Sequence, residues 1–287
     1  MPNSYVSRRS TEAQALSPWA PPVGTLGELT TEAHARATAL TPRTRELERS
    51  IAGLATPPRF GDALQRANVG VIAEVKRSSP SKGAINVGMN VERQLRAYEA
   101  GGAAAISILT EPLRFGGSNN DLILARGCVR LPLLKKDFHV AVVQILEARM
   151  LGASAALVIA RAVAPDRLKE LVQAGRDAAI EILVEVRDEH ELDLALTLDA
   201  KLIGVNNRNL ETLQIDPETS TRLLPLIPRG VVAIAESGVR AIADVARAAS
   251  AGADGVLVGS ELSKSADPEK AVRSLIDVPR MVDARKG

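Results

Sequence analysis

Glu74 and Lys76 stand two residues apart in VIAEVKRSSPSKG (Val71–Gly83), inside a run that otherwise reads as a buried β-strand. Successive strand side chains point to opposite faces, so residues two apart share a face and this pair projects together into whatever the strand lines. Paired charges in an apolar strand are costly to bury, and where they persist they are candidates for proton transfer or for holding a charged ligand. The signature recurs. Short Val-, Ile- and Leu-rich runs end in polar groups at LPLLKKDF (Lys136), EILVEV (Glu185), KLIGVNNR (Asn206 and Arg208) and VVAIAESG (Glu236). Alternation sends all of these toward one interior, where lysines and glutamates can supply a general acid, a general base and substrate anchors. The competing reading is a structural ion-pair network. Against it, five separate runs contribute, and the loop Ser79-Pro80-Ser81-Lys82-Gly83 lies beside them. Phe115 and Phe138 are candidates for stacking on an aromatic substrate, or for packing, in a chain with 2% aromatic residues. Weaker candidates are Trp19, which would fold over the site, and Asp137, which would orient Lys136 or cap a loop. His139 reads as a rim residue rather than a catalyst.

These residues need a scaffold that brings strand ends together. AGGAAAISILT, LGASAALVIA and AGADGVLVGS repeat one design, in which a helix ends, Gly-Ala follows and a β-branched run begins. Their Gly-Ala pairs, at Gly102, Gly152 and Gly252, are spaced as two and four units of roughly 25 residues, each one strand, one helix and two short connections. Eight strands are expected, at about 71–76, 103–109, 131–136, 155–160, 180–186, 201–206, 231–236 and 254–259. Amphipathic helices are expected between them, at Val91–Ala100, Val142–Leu151, Asp166–Ala178, Glu189–Leu198 and Ala241–Ala251. Alternating β and α elements with both strand faces apolar indicate a parallel sheet, and eight near-equal units indicate a closed (β/α)8 TIM barrel rather than a doubly wound open sheet. Residues 26 to about 54 read as an extra helical segment packed over the barrel and ended by Pro57-Pro58. Residues 1–23 read as a disordered or extended tail, and 24–287 as a single barrel domain that includes the extension.

With strands numbered, a phosphate site emerges. Ser237 and Gly238 follow strand 7, and Gly259 and Ser260 follow strand 8 at a helix start. Small residues let backbone N–H groups approach an anion there, and the loops after strands 7 and 8 are the usual barrel phosphate site. Glycines that merely make tight turns are the alternative.

Composition narrows the classes. A net charge of +2 with signs interspersed gives no nucleic-acid footprint. A single cysteine, Cys128, cannot form an internal disulfide, and three scattered histidines offer no metal-ligand spacing. Arg8-Arg9 is followed by no apolar stretch, and no run approaches a membrane span, so a cytoplasmic protein is expected.

Taken in order, IAEVKRSSPSKG, ISILTE with GGS, LLKKDF followed by QILEAR, LVEVRDEHEL, IGVNNRNL, AESGV and GADGVLVGSEL resemble the indole-3-glycerol phosphate synthases of tryptophan biosynthesis, over about residues 25–275. The resemblance implies a sugar-phosphate substrate, 1-(2-carboxyphenylamino)-1-deoxyribulose 5-phosphate, closed to indole-3-glycerol phosphate with loss of CO2 and water. It implies Lys136 as general acid, Glu185 as general base, Lys76 as a second lysine that neutralises substrate anions and can share the acid role, and Glu74 fixing the position and charge state of Lys76. Asn206 and Glu236 would hold substrate hydroxyls, Arg208 would orient the site, and Ser79 and Pro80 would meet the anthranilate part. Ser237, Gly238, Gly259 and Ser260 would grip the phosphate. No metal or organic cofactor is implied. A monomer is expected, and weak contact with other enzymes of the pathway is left open. The chain departs from the family's common pattern at Ala141-Val142-Val143, where an Asp-Pro-Tyr turn is usual, and at Leu113-Arg114, where two aromatics are usual. A related phosphate-binding isomerase and a non-catalytic ligand-binding barrel are the alternatives. Cys128 within a helix argues against the first, and intact strand-end charges argue against the second.

Overall fold

Three buried 6→1 hydrogen bonds mark where helices hand over to strands. The N–H groups of Ala103, Ala153 and Ala253 donate to Tyr98, Ala148 and Ala248, while Gly102, Gly152 and Gly252 turn through positive φ of 91°, 98° and 98°. Only glycine adopts that conformation without steric cost, and the alanine after it is small enough to let the next strand start against the helix. The repeat seen in the sequence is thus a helix-capping device.

The structure, a computed structural model, describes residues 19–285; the expectation of a tail falls mostly on residues outside that span. Among the described residues eight strands form the barrel, β1 (Gly70–Val75), β2 (Ala105–Leu109), β3 (Leu133–Lys136), β4 (Ala155–Ile159), β5 (Glu181–Val186), β6 (Leu202–Asn206), β7 (Val232–Glu236) and β8 (Gly255–Val258), and Ser78–Ser79 pairs with Gly83–Ala84 as a separate short hairpin after β1. They pair in parallel in chain order, and β1 also pairs with β8, closing a (β/α)8 barrel. Almost every strand residue is buried, as both-face coverage by helices requires. The helices Val91–Ala100 and Val142–Leu151 lie where expected, and Pro165–Asp177, Glu189–Thr197 and Ile242–Ser250 differ from expectation by a residue at their ends. Register brings the polar strand ends level: Leu109 pairs with Lys136, Ile159 with Glu185 and Asn206 with Glu236. One rim of the barrel therefore carries all the strand-end charges.

The N-terminal extension is more divided than its sequence suggests. Helix Gly24–Leu40 crosses the charged mouth, placing Leu29 in the cavity there, and Thr44–Ala52 packs outside against Val142–Leu151. The helical segment stops at Ala52, ahead of Pro57-Pro58, because Gly53 ends it. A short helix, Phe60–Leu64, then plugs the opposite end: Glu181 at the start of β5 accepts the Phe60 and Gly61 N–H groups at 2.5 and 3.1 Å. Near that end Asp254 accepts the Ala233 N–H and pairs with Arg280 and Arg285. Among the described residues no helix is long and apolar enough to cross a membrane.

Candidate active site

At the charged mouth Lys136 Nζ lies 3.2 Å from Glu185 Oε2 and 3.2 Å from Glu236 Oε2. Its sequence neighbour Lys135 points outward, 2.9 Å from Glu147 on the helix that follows, so strand alternation alone separates the two lysines into different roles. Asn206 Nδ2 donates to the second Glu185 oxygen at 2.8 Å, and Asn206 Oδ1 accepts the Arg208 N–H at 2.9 Å. Across the mouth Lys76 Nζ sits 2.5 Å from Glu74 Oε1. Space for these side chains comes from glycines: an atom at the Cβ position of Gly204 would lie 2.1 Å from Glu236 Oε1, and one at Gly259 would lie 2.2 Å from Glu74 Oε1.

The electrostatics follow from burial and from carboxylates outnumbering ammonium groups. Burial works to lower the Lys136 pKa, but Glu236, Glu185 and Glu74 outweigh it and hold the ammonium above its ordinary range. Glu236 moves the other way. Its burial, joined by repulsion from Glu185 and Glu74, overcomes the attraction of Lys136 and pushes its carboxyl up to about 7. A firmly charged cation thus faces a carboxylate poised to change protonation near neutrality, an arrangement suited to moving protons at a bound substrate.

Walls and rim complete the cavity, which Ser79, Pro80, Lys82, Phe115, Phe138 and Arg208 line along with the charged groups. Phe115 and Phe138 face each other with ring centroids 6.1 Å apart and tilted by 39°. Phe115 is presented by Glu111, a fully buried carboxylate that accepts the N–H groups of Leu113, Arg114 and Phe115 at 2.7–3.0 Å. Glu111 belongs to the LTE segment, yet its loop-building role was invisible in the sequence because the partners that build the loop are backbone groups, joined at 3.5 Å by Arg36 from 75 residues earlier. Arg77 clamps the base of the Ser79–Gly83 loop by forked bonds to Asp121 at 2.5 and 2.9 Å. The Ser79 hydroxyl is buried with no hydrogen-bond partner among the described residues, and Glu236 Oε1 likewise. Unpaired buried polar atoms facing one cavity are what a polar ligand would satisfy. On the β7–β8 side Ser237 and Gly238 turn through consecutive positive φ of 64° and 91° and line the cavity with Gly259 and Ser260. A serine held in that conformation is strained, and such strain clusters at ligand sites.

A family model described as indole-3-glycerol phosphate synthase matches residues 30–275. The chain belongs to that family. It is 47% identical over 228 residues to the indole-3-glycerol phosphate synthase of Rhodococcus jostii (strain RHA1), spanning 79% of this chain and 85% of that one. It is 49% identical over 215 residues to the one from Kineococcus radiotolerans (75% and 78% of the two chains). It is also 44% identical over 235 residues to indole-3-glycerol phosphate synthase 2 of Streptomyces coelicolor (82% and 91%). Among solved structures, 3-hexulose-6-phosphate synthase from Salmonella typhimurium shares the fold at a TM-score of 0.58 and 15% identity, covering 72% of this chain and 96% of that one.

The two departures from the indole-3-glycerol phosphate synthase pattern now have structural consequences. Leu113 is 69% exposed and forms no wall, while Arg114 reaches Glu28 and Glu32 on the helix across the mouth at 3.1 and 2.9 Å. Arg114 thereby tethers this loop to the N-terminal helix. Ala141 occupies the N-cap of helix Val142–Leu151 with extended backbone and no side-chain cap, although Gln144 returns to accept the Val140 and Ala141 N–H groups at 2.8 and 3.1 Å. Ala141→Asp should supply the missing acceptor and stabilise the protein by about 1 kcal/mol, roughly 2–4 °C in Tm. Thermal unfolding at pH 7 measures it; an unchanged or lower Tm would show that the first turn is already satisfied.

Three expectations are corrected. Asp137 does not touch Lys136; of its two expected roles it takes the loop-capping one, accepting the Phe138 N–H at 2.8 Å, and it also accepts from Arg36 at 2.7 Å and Thr110 at 2.6 Å, tying β3's end to the N-terminal helix. Trp19 is 39% exposed and is absent from the cavity lining; the neighbouring Ala20 carbonyl is held instead by Arg161. His139 is not on the rim but 1% exposed, its Nδ1 2.6 Å from the Leu157 carbonyl. Burial, then the nearby Lys135 ammonium, depresses its pKa to about 4. The unfolded chain takes up a proton near pH 6.5 that the native state refuses until about pH 4, so His139 contributes stability present above pH 6.5 and lost as pH falls toward 4. Over that window the loss amounts to about 3 kcal/mol. Urea unfolding at pH 7 and pH 4.5 should show that His139→Leu removes most of this slope; a variant with the parent's slope would place the titration elsewhere.

Proposed function

We propose that this chain closes the indole ring of 1-(2-carboxyphenylamino)-1-deoxyribulose 5-phosphate, releasing CO2 and water to give indole-3-glycerol phosphate. The observation that carries the proposal is the single ammonium of Lys136 held 3.2 Å from each of two buried carboxylates beneath an aromatic wall. In this reading the aniline ring carbon bonds to the ketone carbon while the carbonyl oxygen takes the proton of Lys136. The ring–carboxylate bond then breaks, its electrons restoring aromaticity as CO2 departs. Last, the hydroxyl takes a proton from Lys76 and leaves as water while Glu185 removes a proton from the neighbouring carbon to form the ring double bond, each proton transfer contributing on the order of 10²–10⁴ in rate.

Lys76, fixed by Glu74, faces the substrate's anionic groups. Asn206 and Glu236 hold its hydroxyls, and the Arg208 N–H on Asn206 keeps that amide oriented. Ser79 and Pro80 meet the anthranilate ring with Phe115 and Phe138, and Ser237, Gly238, Gly259 and Ser260 hold the phosphate, a reading supported by their common cavity. We read the protein as a cytoplasmic monomer, as the scattered exposed apolar residues support. Light scattering tests the oligomeric state. The function is tested by fluorescence of indole-3-glycerol phosphate formation in single-turnover and steady-state assays. Saturable binding of a substrate analogue without product would leave a binding-only barrel.

A further inference from the structure

The ladder between β1 and β8 ends before the Glu74–Lys76 pair. Its last rung is Ala73 with Val258, after which the chain turns at Gly259 into the four-residue helix Ser260–Ser263. Beyond that rung the Glu74 carbonyl and the Lys76 N–H, two residues apart on one strand edge, need partners of another kind. Ser263 serves both. Its hydroxyl donates to the Glu74 carbonyl at 2.9 Å and accepts the Lys76 N–H at 3.1 Å, and its own carbonyl accepts from Asn86 Nδ2 at 2.8 Å. The residue is fully buried. At the other end of the same segment Gly259 lies against the side chains of the pair, its Cβ position 2.2 Å from Glu74 Oε1 and 3.0 Å from Lys76 Nζ. One short segment therefore holds the backbone of the pair at its end and the side chains at its start, while Gly259 and Ser260 line the cavity.

We infer that Ser263 is a positioning residue that couples occupation of the β8 loop by the substrate's phosphate to the placement of Lys76, so that phosphate binding raises turnover as well as affinity. The inference rests on the ring-closing reading above. The physical basis is that contacts to a remote, non-reacting group can be used to order the reacting centre, where a displacement of about 1 Å costs up to roughly 10²-fold in rate. Tyr98 provides the comparison. Its hydroxyl donates to the same Glu74 carbonyl at 3.1 Å, receives Gln94 at 2.8 Å and lies 3.5 Å from the Ser263 hydroxyl, but it does not bind the Lys76 N–H.

The experiment compares the parent, Ser263→Ala and Tyr98→Phe, each shown to be folded at the assay temperature by circular dichroism. Two substrates are used: the phosphorylated one, and its phosphate-free form with and without inorganic phosphite. In the parent, phosphite should stimulate turnover of the phosphate-free substrate. Ser263→Ala should lower kcat on the phosphorylated substrate by roughly tenfold with little change in KM, and should lower the phosphite stimulation by a similar factor. Tyr98→Phe should keep the stimulation. A Ser263→Ala protein with the parent's kcat and stimulation overturns the inference, as does an equal loss in Tyr98→Phe, which would assign the effect to loosening of the buried network. No product from the phosphorylated substrate with the parent itself would instead remove the ring-closing reading, and the inference with it.

Discussion

Lys136→Ala should lower kcat by roughly three orders of magnitude while the barrel stays folded. The lysine is the only ammonium within ion-pair distance of Glu185 and Glu236 among the described residues, so no neighbour substitutes for its proton. The lost cation also leaves two carboxylates facing each other in a buried site, where both cannot remain ionised. Glu236, already raised to about 7 by burial, then loses the one attraction that holds it down and should titrate higher still. The sign of the stability effect follows: a carboxyl whose folded pKa exceeds its unfolded value stabilises below the unfolded value and loses that contribution as pH rises through the folded one. Lys136→Ala should therefore unfold at lower urea than the parent at pH 8, with the gap narrowing toward pH 5. Single-turnover fluorescence gives the rate and urea titrations at the two pH values give the stability. Near-parental turnover would remove Lys136 as the acid, and a gap independent of pH would show that Glu236 does not take up the proton.

How far such behaviour was readable beforehand depends on the kind of interaction. Periodicity of two separates Lys135 from Lys136 before any coordinates, because alternation is a local rule, and the structure places them on opposite faces as that rule requires. The Gly-Ala repeats likewise announced barrel closure through local capping chemistry. His139 was misplaced for the converse reason. It follows the strand end, where alternation no longer applies, and its burial depends on packing near Leu157 from the adjacent strand. Glu111 and Ser263 were missed because the closest partners of their side chains are backbone groups, which any sequence supplies; Ser263 meets residues 187 and 189 positions away. Asp137 was expected to orient Lys136 or to cap a loop; it caps the Phe138 N–H, but its ion-pair partner Arg36, 101 residues earlier, was not foreseen. The charged rim was legible from strand patterns, and the contacts that hold it rigid were not.

Glu185→Gln should be the cleaner test of the base, because it removes charge while keeping shape. A glutamine carbonyl can still accept Asn206 Nδ2 at the position where Glu185 Oε1 does so now, which leaves its NH2 facing Lys136 donor to donor; Lys136 keeps Glu236, so the folded state exchanges one attraction for a local repulsion and loses no packing. Turnover should fall by about 10²–10⁴-fold, since the amide cannot take up the proton lost on dehydration. The loss should reside in kcat, with KM little changed, because the group acts on the transition state rather than on binding. A second signature separates this from a general disturbance of the site. Repulsion from Glu185 is among the causes that raise Glu236, so its removal should lower the Glu236 pKa from about 7. The loss of stability assigned to Glu236, which sets in above its unfolded value, should then be complete at lower pH than in the parent and be smaller in total. A variant that keeps full turnover would hand the base role to another carboxylate, with Glu236 the nearest across Lys136; one that loses turnover without moving the Glu236 titration would mean that the two carboxylates do not share the ammonium in solution.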